Sequence, residues 1–126
     1  MIRKKTKIDE DEKNECLTLK FKENKVRITG RITCCWLAAD DIYLILGKGN
    51  PDKKVEIDEL IAAGVEINNL STSDLGIVVN LMGLMRLVKW GKEINENRAT
   101  EFKEWIFNEM FPKIWMWADN KYKVSH

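Results

Sequence analysis

Apolar and polar residues alternate at period two over Leu17-Thr-Leu-Lys-Phe-Lys22 and again over Lys25-Val-Arg-Ile-Thr29. Strands with one buried face carry this pattern. Glu23-Asn24 between them predicts a turn, Gly30 punctuates, and Arg31–Trp36 reads as a third short strand, so the N-terminal part forms a meander. From Leu37 the period lengthens. Leu37, Ala38, Ile42, Ile45 and Leu46 share one face at 3.6 residues per turn, which predicts a helix. Asp40 and Asp41 fall in its early turns, where negative charge complements the helix dipole. Gly47 suits a left-handed stop.

The loop Lys48–Asp52 leads to a second predicted helix within Lys53–Ala63, ending at Gly64. Val65, Ile67 and Leu70 fit a strand, Ser71–Asp74 reads as loop, and Gly76–Val79 is a compact β-branched strand. Asn80 caps a short helix from Leu81 to about Lys89, closed by Trp90-Gly91. Asn95 or Asn97 caps the last helix, whose stripe is Ala99, Phe102, Trp105, Ile106 and Met110. Pro112 is expected to kink or end it, since proline lacks a donor and clashes with the preceding turn. The expected fold is α+β, a small N-terminal antiparallel hairpin or meander packed with about four helices. Residues 1–15 are expected to be a flexible charged arm, 16–118 one domain and 119–126 a polar tail.

Composition narrows the function classes. The chain has 126 residues, 44% hydrophobic and 33% charged, with a net charge of +1. That is ordinary for one globular domain. No apolar run reaches the ~20 residues of a membrane span, and the N-terminus lacks the apolar segment of a signal peptide, so a cytoplasmic protein is expected. Cys16, Cys34 and Cys35 are an odd set without paired spacing, read as small, half-buried apolar residues in a reducing compartment. The single histidine is the terminal His126, so nucleophilic systems that need a positioned imidazole have none. The ligand spacing of a zinc site is missing. Asp40-Asp41, the one conspicuous carboxylate pair, reads as helix charge. No catalytic residue, metal or cofactor is expected, and the protein is read as a non-enzyme.

The charge is unevenly spread. Bases dominate at Lys20, Lys22, Lys25, Arg27 and Arg31 and return at Arg86, Lys89, Lys92 and Arg98, while acids prevail from Asp40 to Asp74 apart from Lys48, Lys53 and Lys54. A basic face needs these stretches to converge. The segment Gly47–Lys54 lacks the P-loop spacing and reads as a connection carrying solvated lysines, with phosphate contact by those lysines as the alternative. Of the tryptophans, Trp36 and Trp105 are expected in the core, and Trp115 and Trp117 are candidates for an exposed partner-binding pair.

Taken in order, several segments form one pattern: Trp36-Leu-Ala-Ala-Asp-Asp-Ile-Tyr-Leu-Ile-Leu-Gly47 with Asn50-Pro51, Val79-Asn-Leu-Met-Gly-Leu84, Ala99-Thr-Glu-Phe-Lys-Glu-Trp105 and Met110-Phe-Pro-Lys-Ile114. The pattern resembles the Bro-N family, the N-terminal domain of phage antirepressors and baculovirus repeated proteins. There a Trp-Phe-x-x-x-Asp-Val helix ends in Leu-Gly-Tyr before Asn-Pro. An Ile-Asn-Glu-x-Gly-Leu turn then precedes Ala-x-x-Phe-x-x-Trp and Leu-Pro-x-Ile. The likeness spans roughly Leu17 to Trp117. Leu81 departs from it where the family has glutamate, and Trp90–Ile94 replaces a more basic Ser-Arg segment. The resemblance implies a phage or prophage regulator of transcription that binds double-stranded DNA. Arg27, Arg31, Arg86, Lys89, Lys92 and Arg98 are the candidate phosphate contacts. The alternative is a module that binds and inhibits a repressor or host defence protein without touching DNA, and a homodimer is compatible with either.

Overall fold

The computed structural model describes residues 16–31, 34–47 and 52–124; the expected N-terminal arm, residues 32–33, residues 48–51 and the last two residues lie outside it, as do the side chains of residues 31, 34 and 118–124. The fold is α+β. Strands β1 (Cys16–Phe21), β2 (Asn24–Arg31), β3 (Cys34–Ala38), β4 (Leu70–Ser73) and β5 (Gly76–Val79) form one antiparallel sheet in the order β1-β2-β3-β5-β4. The helices are α1 (Ala39–Ile45), α2 (Ile57–Ala62), α3 (Leu81–Ile94), α4 (Glu96–Trp105) and α5 (Phe111–Val124). A 3-10 turn covers Ile67–Asn69, and a π-helical segment, Ile106–Met110, joins α4 to α5 in one rod.

The meander obeys its alternation. Leu17 pairs with Ile28, Leu19 with Val26, and Ile28 with Leu37, so these side chains share the face that meets the helices. Phe21 at the hairpin end stands edge-on to Phe102 at 5.2 Å and to Trp105 at 5.8 Å, locking the hairpin to α4. The hairpin turn is Lys22-Glu23, one residue earlier than expected, with Lys22 at φ 55. A lysine in that left-handed region costs about 1–2 kcal/mol. The ammonium of Lys22 is tied to Glu101 of α4 at 2.8 Å, and the pairing holds the Glu101 carboxyl below its ordinary range.

Trp36 is not core. It pairs with Thr29 on the opposite face of the sheet and is only half-buried, because Leu37 beside it points inward and alternation turns Trp36 outward. Trp105 is buried as expected. Cys16 is exposed rather than half-buried, whereas Cys35 is half-buried.

Four further elements differ from the sequence reading. Strand β3 extends through Leu37 and Ala38, and α1 begins at Ala39. Polar Ser71-Thr72-Ser73 is strand, not loop: with Leu70 it forms the sheet's edge, bonded only to β5 among the described residues and mostly exposed, so it needs few apolar side chains, while Ile67, expected in a strand, lies in the 3-10 turn. Helix α3 runs past Trp90-Gly91 to Ile94. Gly91 is there for packing, since a Cβ on it would stand 2.7 Å from Cδ2 of buried Leu46. Pro112 neither ends nor breaks the rod. The π turn ahead of it, in which the Phe111 amide donates to the Ile106 carbonyl, widens the turn that the ring would strike. Helical backbone then continues to Val124 through most of the expected polar tail.

The expected stops and caps are present. Gly47 and Gly64 have φ of 92 and 100. Asn80 Oδ1 accepts from the Gly83 amide at 2.9 Å, and Asn95, not Asn97, caps α4 by accepting from Arg98 N.

Candidate interaction surfaces

Asp41 is buried on α1 together with Ile42 and Ile45, an acid in an apolar position, and is 5% exposed. Burial of an ionised carboxylate demands donors, and among the described residues Arg27 supplies three. Its backbone amide and Nε donate to Asp41 Oδ2 at 2.9 and 3.0 Å, and Nη2 donates to Oδ1 at 3.0 Å. The β2–β3 pairing ends at Ile28–Leu37, one residue short of Arg27, and the Arg27 amide donates to the Asp41 carboxylate. The pair raises the guanidinium pKa further above its ordinary value, chiefly through the hydrogen bond. Arg27 is therefore a clamp between β2 and α1.

Arg98 is also committed internally. Its Nε donates to the Ile45 carbonyl at 3.0 Å, and its guanidinium lies over the Phe21 ring, 5.4 Å from the centroid. The last turn of α1 contains no basic residue of its own, so Arg98 supplies the missing cation from α4. Two of the six candidate phosphate contacts, Arg27 and Arg98, thus also hold the fold together. Arg31 ends β2, with its side chain outside the described residues.

Arg86, Lys89 and Lys92 remain, three exposed residues on α3 at spacing i, i+3, i+6. That spacing draws an oblique basic ridge across the outer face of the helix. Its inner face, Gly83, Leu84, Leu87, Val88 and Gly91, is buried. Among the described residues none of the three cations has an ion pair, and the first turn of α3 carries no acid. Glu93 shares the outer face and moderates the charge.

The aromatic candidates separate. Trp115 is 77% exposed, whereas Trp117 is half-buried. Sequence reading did not single out Phe107 and Phe111, which precede Trp115 by eight and four residues; their rings meet edge-on at 5.4 Å, and Phe111 is partly buried against the core. Phe107 is half exposed and Met116 more so, which makes an apolar stripe on the outer side of the rod. The same four- and eight-residue spacing was visible in the sequence.

A third surface lies between the hairpin and the segment after α1. Lys25 and Arg27 of β2 meet Lys53 and Lys54 around a hollow of about 260 Å³, with Asp40 and Asp41 in its wall. The Val55 amide donates to Asp40 Oδ1 at 2.7 Å, which fixes the lysine-bearing segment against α1.

No protein-family model, curated protein or solved structure matches the chain. No helix among the described residues is long and apolar enough to cross a membrane.

Proposed function

We propose that the protein is a Bro-N-type regulator that works by binding rather than catalysis, and that it engages duplex DNA through the basic ridge of α3. The observation that carries this reading is the exposed set Arg86, Lys89 and Lys92, left without ion pairs among the described residues, whereas Arg27 and Arg98 are each bonded within the fold. A rigid helix presenting three cations in a row can contact successive phosphates, with affinity that depends on counterion release. Three neutralised phosphates give a salt slope of about −2.7, or a loss of roughly 40-fold in affinity between 50 and 200 mM salt. The test is a duplex titration at those two salt concentrations with the wild type and R86A/K89A/K92A. The expected result is wild-type binding at low salt with the steep slope, and a shallow slope in the variant. No wild-type binding at 50 mM salt ends the DNA reading.

The stripe Phe107, Phe111 and Trp115 favours a second reading, capture of a repressor or host protein. Exposed Trp, Phe and Met on one rigid helix are the residue types that anchor protein interfaces. In that case W115A abolishes antirepression while duplex binding is unchanged.

A further inference from the structure

We infer that the hollow between the β1–β2 hairpin and the start of the segment leading to α2 is a phosphate-binding site, separate from the ridge of α3. Four cations and two carboxylates line it, a balance of 4 − 2 = +2. Both carboxylates already have fixed partners. Asp41 is covered by three donors of Arg27, and Asp40 accepts the Val55 amide, so neither is placed to swing out and neutralise the lysines. Among the described residues Lys53 makes only a long contact, 3.9 Å to Glu59 Oε1, while itself exposed.

Arg27 adds a pre-oriented element: Asp41 grips its Nε and Nη2 edge, so the guanidinium plane is fixed before any ligand arrives, and its Nη1 carries two more N–H donors. Several ammonium groups around one rigid guanidinium suit a tetrahedral group with several acceptor oxygens, as in phosphate recognition. The volume, about 260 Å³, lies below the ~300–1,000 Å³ of pockets that enclose whole organic ligands. It therefore suits a phosphate head group, whether a free phosphomonoester or a phosphodiester of nucleic acid. Leu44, 37% exposed, gives the hollow one apolar wall beside the ester substituent.

The inference stands on its own residues and does not need the α3 reading. It is tested on the full chain by amide NMR, titrating inorganic phosphate, and separately a short duplex, at ionic strength held constant with chloride. Saturable shifts are expected at the amides of Lys25, Arg27, Leu44, Lys54 and Val55. K25A/K53A/K54A weakens the response at least tenfold with spectral dispersion retained, and D40N, which removes a repelling charge but keeps the acceptor for Val55 N–H, tightens it about threefold. Arg27 is left intact because its loss would strand Asp41. Saturation of these amides by phosphate assigns a free phosphomonoester, and saturation by the duplex alone assigns a phosphodiester; both support the site. Shifts scattered over the surface, or equal shifts in the triple variant, overturn it. The R86A/K89A/K92A variant keeps the phosphate response, so failure of the ridge and failure of this site are separately visible.

Discussion

Replacing Asp41 with alanine removes an acceptor of three hydrogen bonds, two from a guanidinium and one from a backbone amide. Hydrogen bonds to charged groups contribute about 1.5–3 kcal/mol each, so a plain sum is about 4.5–9 kcal/mol. That sum is too large here, because the Arg27 side chain is 26% exposed and water reaches part of it after truncation. Breaking a buried ion pair typically costs ~3–5 kcal/mol, and partial exposure places D41A at the lower end, about 3 kcal/mol. R27A strands a carboxylate that is 5% exposed and keeps only the amide donor, a similar loss of about 3 kcal/mol. The double variant no longer carries a buried charge and is expected near 4 kcal/mol, a coupling of about 2 kcal/mol. Urea unfolding followed by far-UV circular dichroism measures all four proteins, with the denaturant slope unchanged. If D41A unfolds within ~0.5 kcal/mol of wild type, in the range of ordinary surface substitutions, Arg27 is not a clamp. Simple additivity of the two single losses leads to the same conclusion.

Two further predictions follow from packing and titration. G91A destabilises by about 1–2 kcal/mol despite the helix propensity of alanine, because its Cβ forces buried Leu46 to move; thermal unfolding reads the loss, and a rise in stability would mean that the α1–α3 contact is loose. Tyr43 is buried, donates to the Glu59 carbonyl at 2.9 Å and stacks on Trp90, and loss of hydration with the nearby Glu59 charge pushes its pKa up to about 12. The unfolded chain ionises near its ordinary value of ~10, so folded protein retains a proton that unfolded protein has lost. This contribution is intact below pH ~10 and disappears as pH rises from there to about 12. A difference absorbance titration shows the late step, and Y43F abolishes it.

Local periodicity made most of the fold legible. Leu17, Leu19, Val26 and Ile28 announce two strands, Asn80 and Gly47 mark helix ends, and the stripe from Ala99 to Met110 announces the rod. Reading failed where a residue acts through a distant partner. Gly91 resembles a stop until Leu46 is known to lie beneath it. Arg27 occupies an outward position of an alternating strand and looks like a solvated cation, although its partner is 14 residues away. The usable clue was on the other side of the pair: Asp41 stands four residues before Ile45 in an apolar helix, and an acid buried there requires a donor. Of the proposed surfaces, the α3 ridge was readable only for Arg86 and Lys89, since Lys92 joins it because the helix runs past Gly91 to Ile94. The hollow was not, because Lys25 and Lys53 are far apart in sequence and meet across contacts such as the Asp40–Val55 bond and the Arg27 clamp.

The wide turn ahead of Pro112 also governs where the end of the molecule is aimed. Each residue of an α-helix advances the chain by about 100° around the axis, and a π turn holds one residue more than the α-helical turn it replaces. Deleting a single residue between Ile106 and Met110 would restore a narrow turn and rotate everything beyond it by about that angle. Ile114 would leave the interior, and the indole of Trp115 would face a different quarter of the surroundings. Bearing, for this protein, is set by residue count.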